Sequence, residues 1–309
     1  MKAASYPVPD RLNSLLVVGV LLAAVGLLWT GTRLHGAWLL VPAIVYAFLL
    51  LTVYALIHEA THDVLHSDRR LNHLMGAVLG WLFPISFTVL RVTHIVHHCC
   101  NRTDHEMFDC YYPGDNRLVK YIQWYGLLLG LWWILIPIGT LLLAIAPRLL
   151  VSTPFRRARS TAVLFDDFGA GEVRWIRLEV LGGLLFWVSL ITLLQLDWSL
   201  LAVYYACFAF NWSTRQYVTH AFTPRDVRDG ALNLKVGRLM KWILLNGHWD
   251  LVHHQHPHVS WYYLDRLGRD SAPPVSYWRQ YLRLWKGPRP CTEPGPEILP
   301  KTRYREMQG

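Results

Sequence analysis

Apolar residues gather in six stretches of this chain, and the stretches are of two kinds. "LLVVGVLLAAVGLLWTG" (15–31) and "GAWLLVPAIVYAFLLLTVYALI" (36–57) carry no charge. A helix rises 1.5 Å per residue, so about 20 apolar residues cross the roughly 30 Å hydrocarbon core of a bilayer. The second run reaches that length and the first comes close to it. Later, residues from about 178 to 196 and from 199 to 215 are separated only by "LDW", which leaves room for a tight turn and predicts a helical hairpin. The remaining two, 74–90 and 121–146, are interrupted, by Pro84 in one and by Pro137 and Gly139 in the other.

Charge decides how these stretches are arranged. If the N-terminus is cytoplasmic, the first hairpin returns the chain to that side at His58. The loop 147–177 carries Arg148, Arg156, Arg157, Arg159, Arg174 and Arg177, and the positive-inside rule keeps such a loop in the cytoplasm. Four full spans in two hairpins satisfy both conditions. Segments 74–90 and 121–146 then become interfacial or re-entrant helices, bent at their prolines and packed on protein. The expectation is an all-α, multi-pass integral membrane protein with both termini and a histidine-rich cap on the cytoplasmic side. Residues 1–264 form the membrane domain, and 265–309 a Pro-rich cytoplasmic tail.

Composition agrees with this. The chain is 53% hydrophobic, with a mean hydropathy of +0.23. No A-x-A-like site closes the first apolar run, so no cleavable signal peptide is expected. Five cysteines, an odd number, predict free thiols in a reducing compartment. A net charge of +9 suits anionic lipid or an acidic protein partner. The basic residues are scattered among apolar segments, which argues against nucleic acid.

The chemistry is carried by histidines. "HEATH" places His58 and His62 at i, i+4 on one helix face at the end of the second span. "HIVHH" repeats that spacing with His94 and His98, and adds His97. "DLVHH" has Asp250, His253 and His254 at the same intervals, and His220 follows the last span. Imidazole and carboxylate suit iron, zinc or copper. Nine such donors exceed what one ion uses, so the count predicts two metals. Asp250 stands where "HIVHH" has a histidine; it either ligates through oxygen or hydrogen-bonds a ligating imidazole, in which case His248 takes its place. His66, His256 and His258 are weaker candidates, and His35, His73 and His105 read as interface residues. Asp104, Glu106 and Asp109, in "NRTDHEMFD", read as a solvated loop or as support for the ligands.

The three boxes, "HEATH", "HIVHH" and "DLVHHQHPHVSWYYL", resemble those of the membrane fatty acid desaturase-like superfamily, which includes acyl desaturases and carotenoid hydroxylases and ketolases. The resemblance extends over residues 36–264, and Asp250 departs from it. It implies a di-iron centre held by His58, His62, His94, His97, His98, His220, Asp250, His253 and His254, with O2 as co-substrate. It also implies a long-chain lipid substrate, with acyl desaturation as the leading reaction and hydroxylation or ketolation of a carotenoid or alkyl chain as the alternative. No haem or Cys-rich ferredoxin motif is present, so electrons are expected from a separate ferredoxin-like or cytochrome-like protein. Trp81, Phe83, Phe87, Trp132, Trp133 and Phe210 are candidates to line the substrate tunnel.

Two rivals stand beside this reading. "HEATH" is a literal H-E-x-x-H, which would make His58 and His62 zinc ligands and Glu59 the general base of an intramembrane protease. A metal transporter would instead place ionisable groups at mid-span, where these runs have none.

Overall fold

The computed structural model describes residues 6–150, residue 163 and residues 168–306. Arg156, Arg157 and Arg159 of the basic loop lie outside the described residues. The described chain is mostly helical. Helix α1 (Asp10–Gly31) begins on an aspartate in its first turn, after Pro9, and a short turn leads to α2 (Leu40–Thr61). Asp68 then caps α3 (Arg69–Leu82), accepting the N–H groups of Arg70 and Leu71, and Ser86 caps α4 (Phe87–Cys100). Strand β1 (Cys110–Tyr111) precedes α5 (Arg117–Leu128) and α6 (Trp132–Ile145).

The second hairpin is α7 (Ala170–Leu194) and α8 (Trp198–Ser213). Gln195, in the left-handed conformation, ends the first helix, and the Asp197 carboxylate caps the second by accepting the Leu200 N–H. Beyond it come β2 (Leu234–Lys235), α9 (Arg238–Ile243), α10 (Asp250–Gln255), α11 (Trp261–Gly268), β3 (Val275–Ser276), α12 (Tyr277–Leu284), β4 (Arg289–Pro290) and α13 (Lys301–Glu306). The strands form two short parallel pairs, β1 with β4 and β2 with β3.

Helices α1, α2 and α7 are long and apolar enough to cross a membrane. Helix α8, at 16 residues, spans about 24 Å. Helix α2 is central, packed by α1, α3, α4 and α8. Half of its apolar window is buried, against 17% for α7; Leu185, Val188 and Leu193 of α7 face outward, as lipid-facing residues do.

Both interrupted segments are bent pairs, and they bend for different reasons. Helices α3 and α4 meet at 101° around Pro84. The Glu179 carboxylate of α7 holds this corner: it accepts the Thr88 N–H at 2.9 Å, the Thr88 hydroxyl at 2.6 Å and the Ser86 hydroxyl. Its negative charge faces the N-terminus of α4, where unpaired N–H groups favour an anion. Helices α5 and α6 meet at 91°, but the break falls at residues 129–131, not at Pro137 as the sequence suggested. Gly130 has φ +82°, and a Cβ there would lie 2.8 Å from the Ala209 carbonyl oxygen of α8. Only glycine meets both demands. Pro137 stays inside α6 because the carbonyl it deprives of an N–H, that of Trp133, accepts the Tyr205 hydroxyl instead.

One end of the bundle gathers the histidine-bearing segments. Asn13 of α1 donates to the Leu65 carbonyl at 2.7 Å and accepts the Trp261 indole N–H at 3.0 Å. This ties the start of α1, the exit of α2 and the start of α11 together. Residues 265–306 thread back over the same end: Arg289 and Pro290 pair with Cys110 and Tyr111, and Leu299 N–H donates to the Cys99 carbonyl.

Candidate metal centre

Helical periodicity determines how each box is shared. Residues four apart on a helix differ by about 40° in direction, whereas neighbours differ by about 100°. His94 and His98 therefore point one way from α4 and His97 another. On α10, His253 and His254 diverge in the same manner. The structure uses both divergences. His58, His62, His94, His98 and His253 form one group of converging nitrogens, and His97, His220 and His254 form a second.

In the first group the Nε2 atoms of His62 and His94 are 2.9 Å apart, those of His94 and His98 3.1 Å, and those of His98 and His253 3.1 Å. Two ligands at right angles, each about 2.1 Å from one ion, stand about 3 Å apart. The spacing thus fits a shared six-coordinate ion. His58 closes the ring, with centroids 4.4 Å from those of His94 and of His253.

The second group includes the aspartate. Asp250 begins α10, one turn before His254, and its Oδ2 lies 3.2 Å from His220 Nε2. That oxygen is buried without a hydrogen-bond partner. A buried carboxylate oxygen left unpaired beside converging imidazoles fits a cation placed among them. Taken together, the donors divide into five histidines in one group and three histidines with Asp250 in the other. His248, the alternative, belongs to neither group. His66 accepts the Asp68 N–H instead, and His256 and His258 also lie outside both groups.

Outer partners orient the rings. Glu106 Oε2 lies 2.6 Å from His97 Nδ1, the Gly230 carbonyl 3.3 Å from His220 Nδ1, and the Tyr304 hydroxyl 3.1 Å from His62 Nδ1. Each contact leaves Nε2 to face inward, as metal-binding histidines are usually held. Burial, reinforced by neighbouring imidazoles, keeps His253 and His254 well below the usual histidine range, and lowers His220 to about 3. Neutral rings keep the lone pairs that a metal needs. Asp250 is raised from its ordinary value by burial, opposed by a hydrogen bond from Thr219 and by the charges of His97 and His58.

For Asp109 the structure excludes the first of the two readings the sequence offered, a solvated loop. At 1% exposure Asp109 pairs with buried Arg102 at 2.6 Å and accepts the Phe222 N–H. Arg102 also donates to the Tyr217 hydroxyl and the Thr223 carbonyl. The pair thereby locks the loop after the second box to the one that carries His220. Asp104 pairs with Arg225. All five cysteines are free.

The family model described as fatty acid desaturase matches residues 35–286. The chain belongs to the fatty acid desaturase family. No curated protein and no solved structure matches it. As a desaturase-family protein it is an oxidoreductase by class, and its histidine groups are consistent with the family's metal centre. Helix α1 and Tyr304 lie outside the matched region.

Both histidine groups open on a cavity of about 310 Å³. Leu51, Ala55, Leu127, Trp132, Trp212 and Leu245 supply apolar wall, and Glu59, Glu106, Arg215, Gln216 and His248 supply polar wall. Of the six aromatics proposed to line a tunnel, Trp132 alone is in this wall. Phe83, Phe87 and Trp133 are core residues, Trp81 packs against Gly182 and Gly183, and Phe210 faces outward. Glu59 accepts the Trp261 N–H at 2.8 Å and so ties "HEATH" to the start of α11, just after the third box.

Proposed function

We propose that this desaturase-family chain is an O2-dependent di-iron membrane oxidoreductase whose reaction is desaturation of a long-chain lipid acyl group. The observation that carries the reading is the division of nine donors into two adjacent groups that face one cavity. His58, His62, His94, His98 and His253 would hold one iron, and His97, His220, His254 and Asp250 the other. Bound there, the pair would supply the dioxygen chemistry that removes hydrogen from an unactivated C–H bond, which acid–base side chains cannot do.

The chain's own residues do the rest. The buried imidazoles of His220, His253 and His254, held neutral, present their lone pairs without first losing a proton. Glu106 and the Gly230 carbonyl hold the rings of His97 and His220 in place. The apolar wall excludes water and receives the alkyl part of the substrate. Electrons arrive from a separate protein attracted to the basic surface. Four spans in two hairpins, with α3–α4 and α5–α6 re-entrant, put the boxes and the chain's start on the cytoplasmic face; the contacts of Asn13 with Leu65 and Trp261 support a common end.

A zinc protease built on "HEATH" keeps a coordination position open for water beside a free glutamate. Here His58 and His62 join three further imidazoles, and Glu59 is engaged by a backbone N–H.

Iron and zinc per chain, measured by plasma mass spectrometry on protein in mild detergent, test the reading. Two irons are expected, falling clearly in Asp250→Ala. One zinc and no iron would sink the proposal. Product analysis then decides the reaction: loss of two hydrogens marks desaturation, and gain of one oxygen marks hydroxylation.

A further inference from the structure

The metal groups leave one charged residue of the cavity wall unexplained. Four residues of the wall carry ionisable acid or guanidinium groups, and three of them have a partner or a place among the metal donors: Glu59 accepts the Trp261 N–H, Glu106 holds His97, and Asp250 is hydrogen-bonded by Thr219 and stands in the second donor group. The fourth is Arg215, two residues beyond α8. Among the described residues no carboxylate pairs with it. Its Nε is buried without a hydrogen-bond partner, and Nη2 reaches only the Met240 sulfur at 3.9 Å. The Tyr277 ring lies beneath it at 4.7 Å. Burial pulls Arg215 below the usual guanidinium range, as expected of a cation taken from water without a counter-charge.

Its surroundings are unsatisfied too. Gln216 Oε1 and both ring nitrogens of His248 are buried in the same wall without hydrogen-bond partners. A desolvated cation costs several kcal/mol unless it is paired, and a buried polar group costs about 1–3 kcal/mol. Gathered at a cavity whose other wall is apolar, such groups describe a recognition site rather than packing.

We propose that Arg215, in a cavity wall it shares with Gln216 and His248, anchors the anionic head of an amphiphilic substrate whose apolar part lies against Leu51, Leu127 and Trp212. The head is a carboxylate or a phosphate monoester, because the planar guanidinium fork matches two oxygens of either. The inference rests on the reading of this cavity as the oxidation site, and narrows its substrate from any long-chain lipid to one with a charged oxygen head.

Equilibrium binding of radiolabelled dodecanoate, dodecyl phosphate and dodecanol tests it. Iron-loaded protein in lipid nanodiscs is used, without reductant and under argon, so that nothing turns over. At least one anionic probe should bind the parent at least tenfold more tightly than dodecanol. Arg215→Met should bring that ratio to within about twofold and leave dodecanol binding unchanged, and Arg215→Lys should retain part of it. Which anionic probe binds more tightly identifies the head. Equal binding of all three probes by the parent, or an undiminished ratio in Arg215→Met, would overturn the proposal. If Arg215→Met does not fold, the lysine variant decides, since a full parental ratio there contradicts the need for a fork. Iron content on the same samples separates the two readings: two irons with no anionic preference removes the anchor alone, whereas an Arg215-dependent preference without iron removes the oxidase and keeps the anchor.

Discussion

Replacing Asp109 should destabilise the chain far more than its place in a polar loop suggests. Arg102 is 3% exposed and its partner Asp109 1%, at 2.6 Å. Removing one member of a buried ion pair strands the other, at a cost of about 3–5 kcal/mol. In Asp109→Leu the guanidinium keeps only the Tyr217 hydroxyl and the Thr223 carbonyl, neither of which neutralises it. Domains of a few hundred residues lose about 2–4 °C of melting temperature per kcal/mol, so a drop of roughly 6–20 °C is expected. Circular dichroism melts in mild detergent would read it. Removing both charges, in Arg102→Met with Asp109→Leu, should cost less than the two single changes added together, by about 2 kcal/mol or more, because no stranded charge remains. Since the pair holds the loop that carries His220, Asp109→Leu should also lose iron from the second group before the first. Simple additivity of the two substitutions, within about 0.5 kcal/mol, would refute the argument.

Two further outcomes follow from the same site. Glu106→Gln removes the charge at 2.6 Å from His97 Nδ1; loss of such a partner weakens metal binding about 10–100-fold, which chelator competition would show as one labile iron beside one retained. In the metal-free protein, stability should fall as the solution is acidified. His220 and His248 are lowered from 6.5, by burial first, to about 3 and about 4. Below about 6.5 the unfolded chain takes up protons that the folded chain refuses, so their contribution is complete above that pH. It is lost on acidification toward the folded values, at about 1.4 kcal/mol per pH unit for each histidine. A melting temperature unchanged between pH 7 and pH 5 would contradict this.

Much of the site was legible in the sequence because helical spacing is a local property. His58 with His62, and His94 with His98, declare a shared face by their interval alone, and "LDW" marked a turn that the structure places at Gln195–Asp197. Which ion each ring would serve was not legible, since His97 and His254 meet only after α4 and α10 pack together. Long-range partners were hidden for the same reason. Arg102 meets Tyr217 across 115 positions and Tyr304 meets His62 across 242, distances over which no periodicity carries information. The bend at Gly130 was misplaced because proline is the louder local signal. Its actual cause, the close approach of the Ala209 carbonyl, comes from another helix.

The position of Tyr304 bears on the order in which the molecule is assembled. Its hydroxyl lies against His62, and its ring is 5.5 Å from that of His98 and almost fully buried. On the proposed topology, a growing chain has exposed every box to the cytosolic metal pool by residue 254, some fifty residues before this lid is synthesised. Loading therefore has a natural window, after the second hairpin is inserted and before residue 304 settles. A bulky fusion placed just beyond that residue would hold the window open.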